Sequence, residues 1–114
     1  PLTQETRGLL NLDFFNRMPE GAALIQLGRG EHLVEADLLR ALDSGRIASA
    51  SLDVFDVEPL PKEHPFWADE RILVTPHQAG DCSPHTMAEQ LARAAQAVVA
   101  GKIPETVVDR SNGY

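Results

Sequence analysis

Three strand-like runs in this chain each release polar residues at or just beyond their ends, and those residues are of the types that perform acid–base chemistry on an anion. His77 follows Ile72-Leu73-Val74-Thr75-Pro76, Arg29 follows Leu24-Ile25-Gln26-Leu27-Gly28, and Ala50-Ser51-Leu52-Asp53-Val54-Phe55 carries Asp53 with Glu58 shortly after. In an open parallel sheet, ligands bind in the crevice outside the carboxyl ends of the strands, so three such ends would line one pocket. Arg29 stands between Gly28 and Gly30, small neighbours that let a ligand approach the backbone, and its planar fork can grip a carboxylate with two parallel hydrogen bonds. Asp53 interrupts an apolar run, and a buried carboxylate requires a partner. Taken singly, each has a plainer explanation: a surface Arg in a Gly turn, an exposed Glu58, a structural His. Their joint placement at successive strand ends points to a site.

The other polar candidates carry less. His32 and His85 sit at helix starts and His64 in a proline-rich loop; none forms the i, i+4 pair of a helical metal site, so solvated histidines and no metal are expected. Cys82 has no adjacent basic group to activate it, and no GxGxxG is present.

Strands alternating with helices would hold these residues. Asn11 is placed to cap a short helix through Leu12, Phe15 and Met18 that Pro19 and Gly21 end. A buried strand follows from Ala22 to Leu27, then a helix with Val34, Leu38, Leu39 and Leu42 on one face and Gly45 at its end. Ile47 to Phe55 reads as the next strand. Pro59, Pro61 and Pro65 make Asp56 to Glu70 an extended loop with Phe66 and Trp67 plugging it onto the core, and Ile72 to Thr75 returns to the sheet. Ser83-Pro84 opens a last helix whose stripe of Met87, Leu91, Ala94, Ala95 and Val98 runs to Gly101.

Composition excludes several function classes. The chain has 114 residues, 43% of them hydrophobic, and a formal net charge of -7. Those values fit one globular domain, and without a Lys/Arg-rich block neither nucleic acid nor an anionic membrane is an expected partner. No run of about 18 apolar residues marks a membrane span. A lone cysteine fits a reducing, cytoplasmic setting. The opening on Pro1 and the half-crevice indicate part of a longer protein.

Pro1-Leu2-Thr3-Gln4-Glu5-Thr6, Gly28-Arg29-Gly30, Leu52-Asp53-Val54-Phe55 with Glu58-Pro59-Leu60-Pro61, and Thr75-Pro76-His77 occur in an order that resembles the D-isomer-specific 2-hydroxyacid dehydrogenases. His64-Pro65-Phe66-Trp67, Val108-Asp109-Arg110 and Gly113-Tyr114 look most like that family's glyoxylate/hydroxypyruvate reductase A branch. The resemblance implies an α/β fold: half of a doubly wound, Rossmann-like parallel sheet in residues 1–82, and in 83–114 a C-terminal helix and tail returning to a substrate domain. It implies hydride transfer between NAD or NADP, with NADP favoured by the branch, and a small 2-keto acid, in a homodimer of the full-length protein. This stretch alone is then expected to be inactive.

Carried over residue by residue, the resemblance makes Arg29 the group that binds the substrate carboxylate and polarises the keto oxygen. His77 becomes the acid that protonates that oxygen, and Glu58 the partner that orients its ring and favours its protonated form. Asp53 would accept from the nicotinamide carboxamide. Leu27, Gly28, Arg29 and the stretch His77, Gln78, Ala79, Gly80 would lie along the cofactor, with Pro1 near its adenosine end. Gln26 departs from the Asn usual ahead of the Arg motif. D-lactate or phosphoglycerate dehydrogenase shares the triad, and a dinucleotide-sensing corepressor shares the scaffold, so both alternatives stay open.

Overall fold

A computed structural model describes residues 1–80 and 82–108 of the chain, so Asp109, Arg110, Gly113 and Tyr114 of the terminal motifs lie outside the described residues. The chain divides into two compact units, Pro1–Ala79 and Gly80–Tyr114. All three strands belong to the first.

Helix α1 spans Leu12–Arg17; the Asn11 side chain accepts the backbone N–H of Phe14, a side-chain N-cap of the expected kind. Strand β1, Ala22–Gln26, is followed by a single 3-10 turn at Gly30–His32 and by helix α2, Glu35–Asp43. Gly45, at φ +76°, closes α2 in the left-handed conformation that a glycine adopts without strain. Strands β2, Ile47–Leu52, and β3, Ile72–Val74, complete a three-stranded parallel sheet in the order β1-β2-β3. Its register sets Gln26 beside Leu52 and Leu52 beside Val74, which brings the three carboxyl ends level.

Strand β2 is shorter than its composition implies. Val54 and Phe55 are buried, yet the chain leaves the ladder after Leu52. Their apolar character serves the core rather than strand pairing, because β-propensity largely reports packing on a buried surface. The proline loop is less extended than expected: it bends over 56–59, turns at Lys62 and Glu63 with the His64 N–H bonded to the Pro61 carbonyl, and forms one 3-10 turn, Pro65–Trp67. Here the two aromatics part: Phe66 is 1% exposed and enters the core, whereas Trp67 is 55% exposed, so only Phe66 is the expected plug. Trp67 instead donates its indole N–H to the Pro61 carbonyl at 2.9 Å.

Phe15, Leu38, Leu42, Leu24, Leu52 and Phe66 form one core between the helices and one face of the sheet. Full burial of such side chains contributes about 1.5–3 kcal/mol each. Within this unit the opposite face is bare. Ile25, Ser51 and Leu73 are register neighbours there, and Ile25 is 70% exposed, so the expectation of a buried β1 holds on one face only. Arg71 fixes the approach to β3 through bonds to Asp69 and Asp43, and its guanidinium holds the Asp69 carboxyl down to about 2.

In the second unit, helix α3 spans Pro84–Val99 with proline in its first turn. Ser83 occupies the cap position but its side chain makes no capping bond. The helix closes with Gly101 at φ +70° and paired bonds from Gly101 N–H to Val98 and from Lys102 N–H to Ala97, the Schellman arrangement. Among the described residues no helix is long and apolar enough to cross a membrane.

Candidate active site

The β1 end presents Arg29 on a loop held from two sides. Gln26 accepts the Gly28 N–H through its side-chain oxygen at 3.3 Å and donates its amide to the Arg29 carbonyl at 3.0 Å. The longer amide at position 26 therefore spans the turn. His32 accepts the Arg29 N–H on Nδ1 at 3.3 Å, and its Nε2 lies 3.1 Å from the Pro1 carbonyl, a pairing that requires the Nε2–H tautomer. The expected solvated His32 is thus corrected to a loop anchor. A Cβ on Gly30 would collide with the main chain of Phe55 and Asp56, so the loop lies directly against the residues that lead to Glu58. The Arg29 guanidinium donates to the Gly28 carbonyl at 2.8 Å and forms no ion pair among the described residues.

Past β2, Glu58 reaches back and accepts the Phe55 N–H at 3.0 Å on Oε1. Its Oε2 meets Nδ1 of His77 at 2.8 Å. The bond from His77, then that from Phe55, holds the Glu58 carboxyl below its ordinary value, so it is an anion at neutral pH. With Nδ1 committed to Glu58, Nε2 is the ring nitrogen left for a substrate. His77 has φ +51°, a left-handed conformation that costs a non-glycine residue on the order of 1–2 kcal/mol.

Asp53 is 1% exposed, and its carboxylate faces the same turn. Oδ1 accepts the Thr75 hydroxyl at 2.6 Å and the Gln78 N–H at 3.0 Å; Oδ2 accepts the Ala79 N–H at 2.9 Å. The Thr75 hydroxyl leads, with the two N–H groups, in holding this carboxyl below its usual value against the opposing effect of burial. Asp53 thus has its required partners, Oδ2 keeps one acceptor position, and Gln78 and Ala79 have no backbone N–H left for a ligand. Gly80 begins the second unit.

A cleft of about 620 Å³ opens beside the pair, with Glu58, Leu60, Trp67, Val74, Thr75 and His77 in its largely apolar wall. That size lies within the range of small-molecule sites. His64 is not the solvated residue expected of the loop. It sits edge-on to Phe66 at 4.4 Å and 3.2 Å from the Glu35 carboxylate, tying the loop that carries Leu60 and Trp67 to α2. His85 does lie on the surface, 82% exposed. Among the described residues no cluster of three or more metal-ligating side chains exists.

The structure therefore joins Glu58 to His77 and Asp53 to the turn that carries His77, and presents Arg29 from the neighbouring strand end. Thr75 and His32 carry roles that reading the residues missed. Once the register Leu52–Val74 is known, Thr75 falls next to Asp53; nothing in the local sequence marks it.

A parallel α/β sheet whose carboxyl ends gather an arginine, a carboxylate–histidine pair and a buried aspartate is a Rossmann-like arrangement with its polar groups where such folds bind ligands. The chain belongs to the D-isomer specific 2-hydroxyacid dehydrogenases, its residues 1–79 matching that family's NAD binding domain. Over all 114 residues it is 49% identical to a glyoxylate/hydroxypyruvate reductase A of Serratia proteamaculans, of which it spans 36%. The crystal structure of a D-isomer specific 2-hydroxyacid dehydrogenase of Xanthobacter autotrophicus Py2 in complex with NADPH superposes on the whole chain with a TM-score of 0.92, at 46% identity and 47% of that chain. An NADPH-dependent glyoxylate/hydroxypyruvate reductase of Sinorhizobium meliloti, solved with NADP and sulfate, superposes with a TM-score of 0.88 at 40% identity, over all of this chain and 38% of that one. The chain thus spans little more than a third of the curated relative it matches.

Proposed function

We propose that these residues form the catalytic half of the nucleotide-binding domain of an NAD(P)H-dependent reductase acting on small 2-keto acids such as glyoxylate or hydroxypyruvate. The Glu58–His77 pair carries the reading, since its 2.8 Å bond leaves Nε2 free beyond the end of a parallel strand. A bound reduced dinucleotide supplies the hydride. His77 Nε2 delivers a proton to the keto oxygen, and Glu58 keeps the ring oriented and favours its charged form. Arg29 grips the substrate carboxylate and directs a donor at the keto oxygen. The residues fit a nicotinamide. Asp53 stays ionised with one acceptor position left beside the three donors it already takes, and the family resemblance assigns Leu27, Gly28, Arg29, His77, Gln78 and Ala79 to the cofactor's path; the space a Gly28 side chain would need is filled by the His32 ring. Pro1, near the adenosine end, and Gly80, along the cofactor, are assigned by the resemblance alone. NADP is favoured because the Xanthobacter and Sinorhizobium relatives were solved with it. We extend the reading to a cytoplasmic homodimer, supported by the branch resemblance and the lone cysteine.

The test is reduction of glyoxylate and hydroxypyruvate by the full-length protein with NADPH or NADH. Binding of the dinucleotide with no turnover of any 2-keto acid would favour a sensing role instead. The 114-residue chain alone is expected to be inactive, since it contains no glycine-rich pyrophosphate loop. Turnover by this chain, purified free of any longer parent, would overturn the division of labour proposed.

Glu58→Gln gives the pair a pH signature. Keto reduction needs the ring protonated, and a neighbouring anion favours that form, so losing the anion moves the alkaline limb of the kcat/KM profile to lower pH. The acid side follows from Glu58 itself. Its lowered folded value means that the stability contributed by the Glu58 anion is complete above the ordinary glutamate range and fades only as pH falls through the lowered value. An unmoved alkaline limb in Glu58→Gln would separate Glu58 from the proton transfer.

A further inference from the structure

The Asp53 carboxylate bonds to Thr75, two residues before His77, and to Gln78 and Ala79, one and two residues after it. One buried anion thus encloses the backbone on both sides of the single non-glycine residue with positive φ among those described. Pro76 restricts the φ just ahead of His77, and the His77 N–H turns back to the Thr75 carbonyl at 3.1 Å. The turn has few other restraints of its own: β3 ends at Val74, after which only the Thr75 N–H still bonds to the sheet, at 2.9 Å to the Leu52 carbonyl, and the His77 and Glu58 side chains are both exposed at their contact. A pair so open to water does not by itself hold a strained backbone in one conformation.

We infer that Thr75 and Asp53 are positioning residues, a clamp that holds the left-handed turn at His77 so that Nδ1 meets Glu58 and Nε2 is presented to the substrate. The inference rests on the reading of His77 as the acid of a keto-acid reductase. It assigns Thr75 a role and gives Asp53 one in addition to any contact with a cofactor. The hydroxyl is the critical member because its bond is the shortest of the three and it lies on the strand side, where the turn joins rigid structure. Threonine rather than serine is not required: serine supplies the same hydroxyl.

The experiment compares wild type, Thr75→Val, Thr75→Ser and Asp53→Asn in the full-length protein, by steady-state kinetics and by amide hydrogen exchange at Gln78 and Ala79. Valine matches the shape of threonine but deletes the hydroxyl. Loss of a charge-assisted hydrogen bond is expected to lower kcat about tenfold or more and to speed exchange at both amides by a similar factor, with the KM for the dinucleotide held within about twofold. Thr75→Ser is expected to restore kcat and protection nearly to wild type. Asp53→Asn, which offers one acceptor oxygen where three donors converge, should lose protection at one amide or both. Unchanged kcat in an active Thr75→Val enzyme overturns the clamp, as does undiminished amide protection in Thr75→Val and Asp53→Asn. A wild type that binds dinucleotide but reduces no keto acid fails the functional reading instead, and the exchange data then still decide whether the carboxylate clamps the turn.

Discussion

His77→Asn in the full-length protein is expected to lower keto-acid turnover by about 10²–10⁴-fold, the range that a positioned general acid contributes, while leaving dinucleotide affinity nearly unchanged. Asparagine is the informative replacement because it tolerates the left-handed backbone found at φ +51° and its side-chain amide can still donate to Glu58. The turn and the partner then persist, and what disappears is a group that can hold and release a proton at the position of Nε2. Loss in kcat and kcat/KM together is the signature of an interaction made in the transition state. Fluorescence titration with NADPH measures the cofactor side separately. A variant that retains turnover within tenfold of wild type would mean that His77 does not supply the proton.

The elements were legible wherever a local signal decided them. Asn11 at the N-cap of α1, Gly45 and Gly101 at helix ends and Pro84 in a first turn are all choices made by the backbone within one turn of chain. Strand limits were less so. Val54 and Phe55 have strand-like composition because they are buried, and the chain leaves the sheet before them. Phe66 and Trp67 are adjacent in sequence and opposite in exposure, a difference that depends on how one 3-10 turn sits on the core.

Within the site, the residue types at the strand ends announced themselves; of their partners only Glu58 for His77 was expected, and that from the family resemblance. Glu58 and His77 are separated by 19 residues, Asp53 and Thr75 by 22, His64 and Glu35 by 29, and His32 and Pro1 by 31. Each pairing exists only once the tertiary fold is in place; the first two need the sheet register, and His64–Glu35 needs the proline loop to lie on α2. A histidine that anchors a loop and one that lies in water read alike in a sequence, since the distinction is made by acceptors and donors brought from elsewhere. Asp53 was the exception, because a carboxylate inside an apolar run demands partners whatever they turn out to be. It has three, and they belong to the turn around His77.

Arg29→Lys is expected to raise the KM for the keto acid and to lower kcat, with dinucleotide affinity spared. An ammonium is a point charge on a flexible stem, and it reproduces neither a planar two-pronged grip on a carboxylate nor a second donor aimed at the keto oxygen. In the structure the guanidinium donates to the Gly28 carbonyl, and its backbone is pinned by Gln26 and His32. The anchored loop leaves the side chain as the part that changes partner when a substrate carboxylate arrives. If the grip were equal in ground and transition states, only KM would rise; a donor that tightens as charge develops on the oxygen makes kcat fall as well. Loss of a hydrogen bond to a charged group is worth about 1.5–3 kcal/mol, which corresponds to roughly 10- to 150-fold in kcat/KM. A surface arginine in a glycine turn would show no such loss. Wild-type kinetics with glyoxylate and hydroxypyruvate in Arg29→Lys would therefore remove Arg29 from the site, and the two glycines beside it would then serve only close packing, Gly30 against Phe55 and Gly28 against the His32 ring.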